Sequence, residues 1–334
     1  MREIGSEFWQ RYDAVYPETT DSEVYLLSGR TALKYIIDDI RKQKPVRKVL
    51  LPSYCCDSMI FPFVQSGIEV VFYQVELDGL KYPYGNDADI ILLIDYFGFG
   101  LEKNREIVVH EKQVGKIIIY DSTHKIDGNP AVEAFADYSF CSYRKWFCCN
   151  YARAVKYNGE FHSGSPRLRH ERYMSLREAA AREKDAYMNG LPTEKESFLE
   201  KFRTAEQILD EDYVGYGGIP VAFDMDKIVA RRRENATYLV NRIKEIPQIK
   251  LWFEKVCPCD TPMFVPVLVD PAIRNELRKH LISHQIYCPC HWPISACHGT
   301  CNELYHMELS LICDQRYGLD DMERLVSVLK EFFE

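Results

Sequence analysis

Nothing in these 334 residues is apolar over the ~20 consecutive positions that a membrane-spanning helix needs. The first residues, Met1-Arg2-Glu3-Ile4-Gly5-Ser6-Glu7-Phe8, have neither the apolar run nor the small-residue cleavage site of a secretion signal. An excess of positive charge is also lacking. Forty-two Lys and Arg stand against 50 Asp and Glu, a net charge of −8, so nothing draws the whole chain to nucleic acid or anionic membrane, and only a local basic patch would serve. There is no internal repeat and no low-complexity tract, so neither a solenoid nor a disordered tail is expected. Without a secretion signal, the twelve cysteines read as reduced thiols instead of a disulfide framework. These absences together predict a soluble, cytoplasmic protein that needs neither nucleic acid nor membrane as a partner.

What is present is material for a large core. Hydrophobic residues make up 46% of a chain longer than one ordinary domain, which predicts two packed units. After a polar arm (1 to about 24), Val24-Tyr25-Leu26-Leu27 leads into Ser28-Gly29-Arg30-Thr31-Ala32-Leu33, and Leu33, Ile36, Ile37 and Ile40 then recur at helical spacing. Ser28 is a candidate cap whose helix would offer its first N–H groups to an anion; an ordinary capped helix is the plain alternative. The runs Val49-Leu50-Leu51, Glu69-Val70-Val71-Phe72-Tyr73, Asp89-Ile90-Ile91-Leu92-Leu93-Ile94-Asp95, Lys116-Ile117-Ile118-Ile119-Tyr120 and Ala136-Asp137-Tyr138-Ser139-Phe140 read as strands separated by helical stretches. Such continuous Ile/Val/Leu strands predict an α/β fold with a mostly parallel sheet covered on both faces.

The segment from Pro166 to about Asp212 is helix-prone and charged, and its charges are expected on a solvated face. A glycine-bearing connector, Tyr213 to Pro220, precedes a long helix through Arg231-Arg232-Arg233, a triplet expected at the surface. Strands at Met263–Val269, Ile286-Tyr287 and Leu309–Ile312, and a final helix with Met322, Leu325, Val328, Leu329 and Phe332 on its apolar side, predict a smaller α+β unit. The expected division is a large domain over 1–212, arm included, and a small one over 213–334.

Two predicted strands end in Asp121-Ser122-Thr123-His124 and Ser142-Tyr143-Arg144-Lys145-Trp146. An acid and a lysine just past the C-terminal ends of sheet strands stand where open α/β sheets bind ligands. The pairing points to a carboxylate facing a pyridinium nitrogen and an amine that forms an imine, the two protein contributions to pyridoxal phosphate chemistry. Alone, the pair is a weak signal.

Further pieces assemble around it. In order they are Ser28-Gly29-Arg30-Thr31-Ala32-Leu33, Leu51-Pro52-Ser53-Tyr54, Tyr96-Phe97-Gly98, Asp121-Ser122-Thr123-His124, Ser142-Tyr143-Arg144-Lys145, Ala230-Arg231-Arg232-Arg233-Glu234-Asn235, His291-Trp292-Pro293, and Leu309-Ser310-Leu311 running into Asp314-Gln315-Arg316-Tyr317. In this order and spacing the sequence resembles the DegT/StrS-type sugar aminotransferases, over about residues 24–332. The resemblance implies a fold-type I pyridoxal phosphate enzyme with a mostly parallel, seven-stranded-type sheet, a smaller C-terminal domain and a homodimeric assembly. It implies a keto-sugar substrate, nucleotide-linked, an amino-acid donor such as glutamate, and a place in polysaccharide or secondary-metabolite biosynthesis.

Residue by residue, the resemblance makes Lys145 the cofactor lysine and proton carrier, Asp121 the partner of the pyridine nitrogen and His124 the residue near the ring oxygen. Gly29, Arg30 and Thr31, with Ser142, would cradle the phosphate, and Tyr54 would stack on the pyridine ring. The plain alternatives are a surface lysine, a strand-end Asp capping a loop, a neutral loop histidine and a core tyrosine. Retention of Lys145 argues against the family's dehydratase branch, where a histidine stands in its place.

The chain departs from the family pattern twice. Glycines usually follow the lysine, but here the run is Phe147-Cys148-Cys149-Asn150-Tyr151-Ala152-Arg153, whose side chains are expected to crowd the substrate pocket or to supply Arg153 as an anion contact. The family's Asn-Tyr-Arg stretch, which reaches the neighbouring subunit, has no recognisable counterpart between Val214 and Asp226. The altered segment from Cys148 to Arg153 motivates the alternative of a catalytically altered protein with a binding or regulatory role. Cys257, Cys259, Cys288, Cys290, His291, Cys297, His298 and Cys301 invite a zinc reading, but Cys-x-Cys pairs miss the usual spacing of structural sites. The expectation is therefore free thiols and no metal, with His291 falling instead near the substrate.

Overall fold

The computed structural model describes residues 2–16, 20–164, 166, 168–293 and 302–334. β1 (Ile4–Gly5) and β2 (Glu23–Leu26) precede α1 (Gly29–Gln43), β3 (Lys48–Pro52), α2 (Asp57–Gln65), β4 (Glu69–Glu76) and β5 (Gly79–Lys81). Then come β6 (Ile90–Ile94), α3 (Glu102–Gln113), β7 (Ile117–Asp121), α4 (Pro130–Glu133), β8 (Tyr138–Ser142) and β9 (Ala152–Lys156). Two long helices, α5 (Glu171–Met188) and α6 (Lys195–Glu211), lead to α7 (Met225–Ile243), β10 (Lys250–Leu251), β11 (Val265–Leu268) and α8 (Pro271–Ser283). β12 (Ile286–Tyr287), α9 (Leu304–Met307), β13 (Glu308–Leu311) and α10 (Leu319–Phe333) close the chain.

The main sheet has the order β2-β9-β8-β7-β6-β3-β4-β5. Its five central strands, β8, β7, β6, β3 and β4, are mutually parallel, and β9 and β5 run against their neighbours. All five residues of β6 and all five of β7 are buried, which is why these strands carry unbroken apolar runs. The sheet has eight strands where seven were expected, because the turn at Leu77-Asp78 folds Gly79–Lys81 back onto β4. Helix α1 starts where Ser28 Oγ accepts from Thr31 N at 3.2 Å, and it buries Leu33, Ile36, Ile37 and Ile40. Each such fully buried side chain contributes about 1.5–3 kcal/mol.

A second core lies around the three-stranded antiparallel sheet β10-β11-β13, built from Leu239 of α7, Leu277 and Leu281 of α8, and Leu325 and Leu329 of α10. The N-terminal arm belongs to this core. β1 pairs in parallel with β12, and Ile4 and Trp9 are buried among its residues.

Two sequence expectations about charge are corrected. In the helical pair, Arg177 and Lys184 of α5 are buried, not solvated. Arg232 of the basic triplet is buried too. It donates to Gln315 Oε1 at 2.7 Å and Met263 O at 2.9 Å, and its guanidinium lies 4.1 Å from the centre of the Trp146 ring.

Candidate active site

The parallel strands end along one sheet edge, and the register that sets Ile94 beside Asp121, and Asp121 beside Phe140, aligns the ends of β6, β7 and β8. A cavity of about 420 Å³ opens there, within the usual range for small-molecule sites. Asp121 ends β7, and Lys145 follows β8 by one helical turn of 3₁₀ type (Tyr143–Lys145). The loops beyond the two strands are tied together. Ser142 N donates to Thr123 Oγ1 at 3.1 Å, Ser122 N to Phe140 O at 2.9 Å, and the Trp146 indole to Thr123 O at 2.7 Å. These bonds fix the separation of acid and amine before any ligand arrives.

Asp121 is buried, and its Oδ1 accepts from Thr123 N at 2.8 Å. Among the described residues no cation pairs with its carboxyl, and burial pushes its pKa up to about 6. His124 Nδ1 accepts from Phe97 N at 3.1 Å, which leaves the imidazole proton on Nε2. Burial, and next the charge of Lys145, hold His124 down to about 3, so it is neutral; the Trp292 ring stacks on it at 5.5 Å.

Lys145 is exposed and opens onto the cavity, and its Nζ has no hydrogen bond or ion pair among the described residues. Loss of water, and next the neighbouring Arg144 guanidinium, lower its pKa. Arg144 is held by Glu206 of α6 at 2.5 Å, and Arg177 of α5 stands 3.7 Å from the same carboxylate and 3.2 Å from Glu7. Burial alone would raise the Glu206 carboxyl, but Arg144 and Arg177 bring it to about 2.

Of the residues expected at the site, Gly29, Arg30, Asp121, His124, Ser142 and Lys145 stand together in this cavity wall. A Cβ on Gly29 would lie 3.1 Å from Ser142 Cβ, so the first turn of α1 approaches Ser142 as only glycine readily allows. The Arg30 guanidinium turns toward α6, donating to Asp210 Oδ1 at 2.7 Å. Thr31 is outside the wall, its hydroxyl given to Tyr213 O at 2.5 Å.

Tyr54 is also outside the wall. It is fully buried among Tyr96, Trp252, Trp292 and Tyr305, with its hydroxyl on His291 O, as a core tyrosine would be. Cys56, two residues on, reaches the cavity instead. Arg153 pairs with Glu23 at 2.6 Å across β2 and β9 and lines neither cavity at Lys145. Nor does any other residue of 147–153: Phe147, Cys149 and Tyr151 pack into a core cluster, so the expected crowding does not occur.

A second cavity of about 360 Å³ shares Arg144 and Lys145 with the first, so the lysine stands between the two. His291 lines it, its Nδ1 2.8 Å from Ser310 Oγ, and burial drives its pKa well down. Among the described residues the cysteines form no metal-ligand cluster, and ten of them are unpaired; Cys297, His298 and Cys301 lie outside the described residues. The sequence reading missed Glu206 and Leu209, which bring α6 into the first cavity. Their signal was present: Leu209 continues the stripe Phe198, Phe202, Ala205, and Glu206 sits at its edge.

No family model and no curated protein matches the sequence. Solved structures do match. PseC from Helicobacter pylori, an aminotransferase involved in the biosynthesis of pseudoaminic acid, superposes with a TM-score of 0.65 at 14% identity, covering 98% of this chain and 99% of its own. A DegT/DnrJ/EryC1/StrS aminotransferase from Brucella abortus gives 0.60 at 15% identity, covering 93% and 85%. NtdA from Bacillus subtilis, with bound cofactor PMP, gives 0.61 at 13% identity, covering 92% and 72%. At these identities the likeness establishes the fold, which this chain shares with these proteins over nearly its whole length.

Proposed function

We propose that the protein is a pyridoxal phosphate-dependent aminotransferase that acts on a keto sugar, nucleotide-linked, with an amino acid such as glutamate as donor. The observation that carries this reading is one cavity whose wall joins a lysine and a buried carboxyl, neither with an ion-pair partner among the described residues, and a helix N-terminus approached through glycine. The residues fit the cofactor. Gly29, Ser142 and the first N–H groups of α1 would hold its phosphate, Asp121 its ring nitrogen and Lys145 its carbonyl carbon. Bound there, it would supply an aldehyde that condenses with amines and a ring that withdraws the electrons of a broken C–H bond.

The chain's own residues do the rest. Asp121 presents a carboxyl that burial makes a strong acceptor for a cationic N–H. Lys145, whose pKa is lowered by desolvation and next by Arg144, would accept a proton at Nζ and return it. Glu206 and Arg177 fix Arg144, whose charge favours that neutral amine. The second cavity, on the other side of Lys145, supports a chamber for the sugar, with His291 in its wall. The aminotransferase PseC and the PMP bound to NtdA support the reaction class, and the placement of Phe147, Cys149 and Tyr151 in a core cluster, away from both cavities, supports a catalytic protein over a non-catalytic one. A homodimer is part of the proposal, by analogy with the fold, and sedimentation equilibrium tests it.

The deciding experiment is the visible absorption spectrum after adding pyridoxal phosphate to wild type and to Lys145→Ala. A new band in wild type that is absent in the variant is expected, followed by loss of the band on adding glutamate. Identical spectra for the two proteins would overturn the reading.

A further inference from the structure

The sequence directs attention to cysteines as metal ligands, but the donor set that the fold assembles is elsewhere. His280 lies in the last turn of α8 and His284 caps its C-terminal end four residues on, with the two ring centres 4.6 Å apart. Glu331 of α10 faces both: its Oε1 is 4.0 Å from His280 Nε2 and 3.6 Å from His284 Nε2. The three ligand atoms all lie within 4.8 Å of one another.

Two details set these side chains apart from a casual surface ion pair. His284 Nδ1 is 3.0 Å from His280 O, and because a carbonyl only accepts, that contact places a proton on Nδ1 and makes Nε2 the nitrogen available to a ligand. His280 Nε2 is enclosed and has no hydrogen-bond partner among the described residues, an arrangement that is unfavourable until something occupies that nitrogen. The His280 ring is also packed against Phe332, 5.5 Å between centres, which holds it in place.

We propose that His280, His284 and Glu331 bind one divalent transition metal of the zinc class. Two imidazoles and a carboxylate suit zinc, nickel or copper and disfavour magnesium and calcium, which prefer all-oxygen shells. A tetrahedral zinc with bonds of about 2.0–2.2 Å needs ligand atoms roughly 3.3 Å apart. The present spacings close to that by small rotations, chiefly of Glu331, whose side chain is 59% exposed. Solvent completes the shell, and the bound ion clips α8 to α10 across the second core. This site uses no residue of the proposed active site, so it stands whether or not the aminotransferase reading does.

The test is a zinc titration of the full chain against a chromophoric chelator, with Co²⁺ spectra and thermal melts, on wild type, His284→Ala, Glu331→Gln and Cys257→Ser/Cys259→Ser. One equivalent should bind to wild type and to the cysteine variant, with a melting point raised by a few degrees, roughly as mass action requires. Affinity should fall by about tenfold or more in His284→Ala and also fall in Glu331→Gln, and Co²⁺ should give visible bands without sulfur-to-metal charge transfer. No stoichiometric binding, binding unchanged in both ligand variants, or binding lost with the cysteines would each overturn the proposal. Glu331→Gln keeps the test sound if the histidine variant misfolds.

Discussion

Asp121 is a carboxyl held where its charge is disfavoured, and that has a measurable consequence. Its pKa is about 6 in the folded chain against a reference value of 3.8, so the folded state binds the proton more tightly. Stability therefore falls as pH rises between these values, and the loss is complete above about pH 6. Asp121→Asn should melt higher than wild type at pH 7, by an amount on the order of 1–3 kcal/mol, with the gap closing near pH 4. Thermal melts at the two pH values check this, and a gap that persists at pH 4 would assign the effect to something other than charge. In a transamination assay the same variant should be badly impaired, and Lys145→Ala should lose ~10²–10⁴-fold in turnover. Asp121 and Lys145 were legible because strand ends are readable from apolar runs. Tyr54 was not, because a tyrosine just past a strand can turn to the cavity or to the core, and only the partner of its hydroxyl decides. Arg232 was legible in principle. It stands four residues from Ile228 and from Ala236, on the buried face of α7, a phase that composition alone conceals.

At the scale of elements, the turn after β6 shows how the two cores are joined. Phe97 and Gly98 both have positive φ, 55° and 87°, and a Cβ on Gly98 would fall 1.9 Å from Thr261 O and 2.7 Å from His124 O. Backbone bonds from Thr261 N to Gly98 O and from Met263 N to Phe97 O fasten the approach to β11 onto this turn. Gly98→Ala should therefore cost several kcal/mol, read as a lower urea midpoint, and should disturb the loop that carries His124. A second buried polar device holds α1 to β8 and β9: Asp39 accepts from Lys156 at 2.9 Å and from Tyr138 at 2.8 Å. Asp39→Ala leaves Lys156 enclosed without its counter-charge and should cost about 3–5 kcal/mol, most of it recovered by also changing Lys156 to Met. The central strands could be read because burial on both faces demands unbroken apolar runs. β9, reading Ala152-Arg153-Ala154-Val155-Lys156, and β5, three residues long, lack that signature, since their pairing comes from the neighbouring strand and not from their own composition.

For the whole molecule, the arm is the least anticipated part. It precedes the large sheet in sequence yet completes the other core, and Ser6, Glu7 and Phe8 line the second cavity. Arg316 binds Asp314 through two bonds, 2.8 and 2.7 Å, and reaches Ser6 O and Glu7 O at 3.2 Å each. Deleting residues 2–9 should lower the melting temperature by roughly 5 °C or more, read by a thermal melt. Pairing between Ile4 and Ile286, 282 positions apart, leaves no local trace in sequence, which is why the arm read only as polar. The placement of Lys145 as a partition shared by two chambers carries a thermodynamic obligation. An anion lodged in either chamber favours the ammonium form of that one amine, and any occupant of the other that requires the free base is weakened. By reciprocity the second occupant must loosen the first by the same factor, so the two chambers can never be filled as independent compartments.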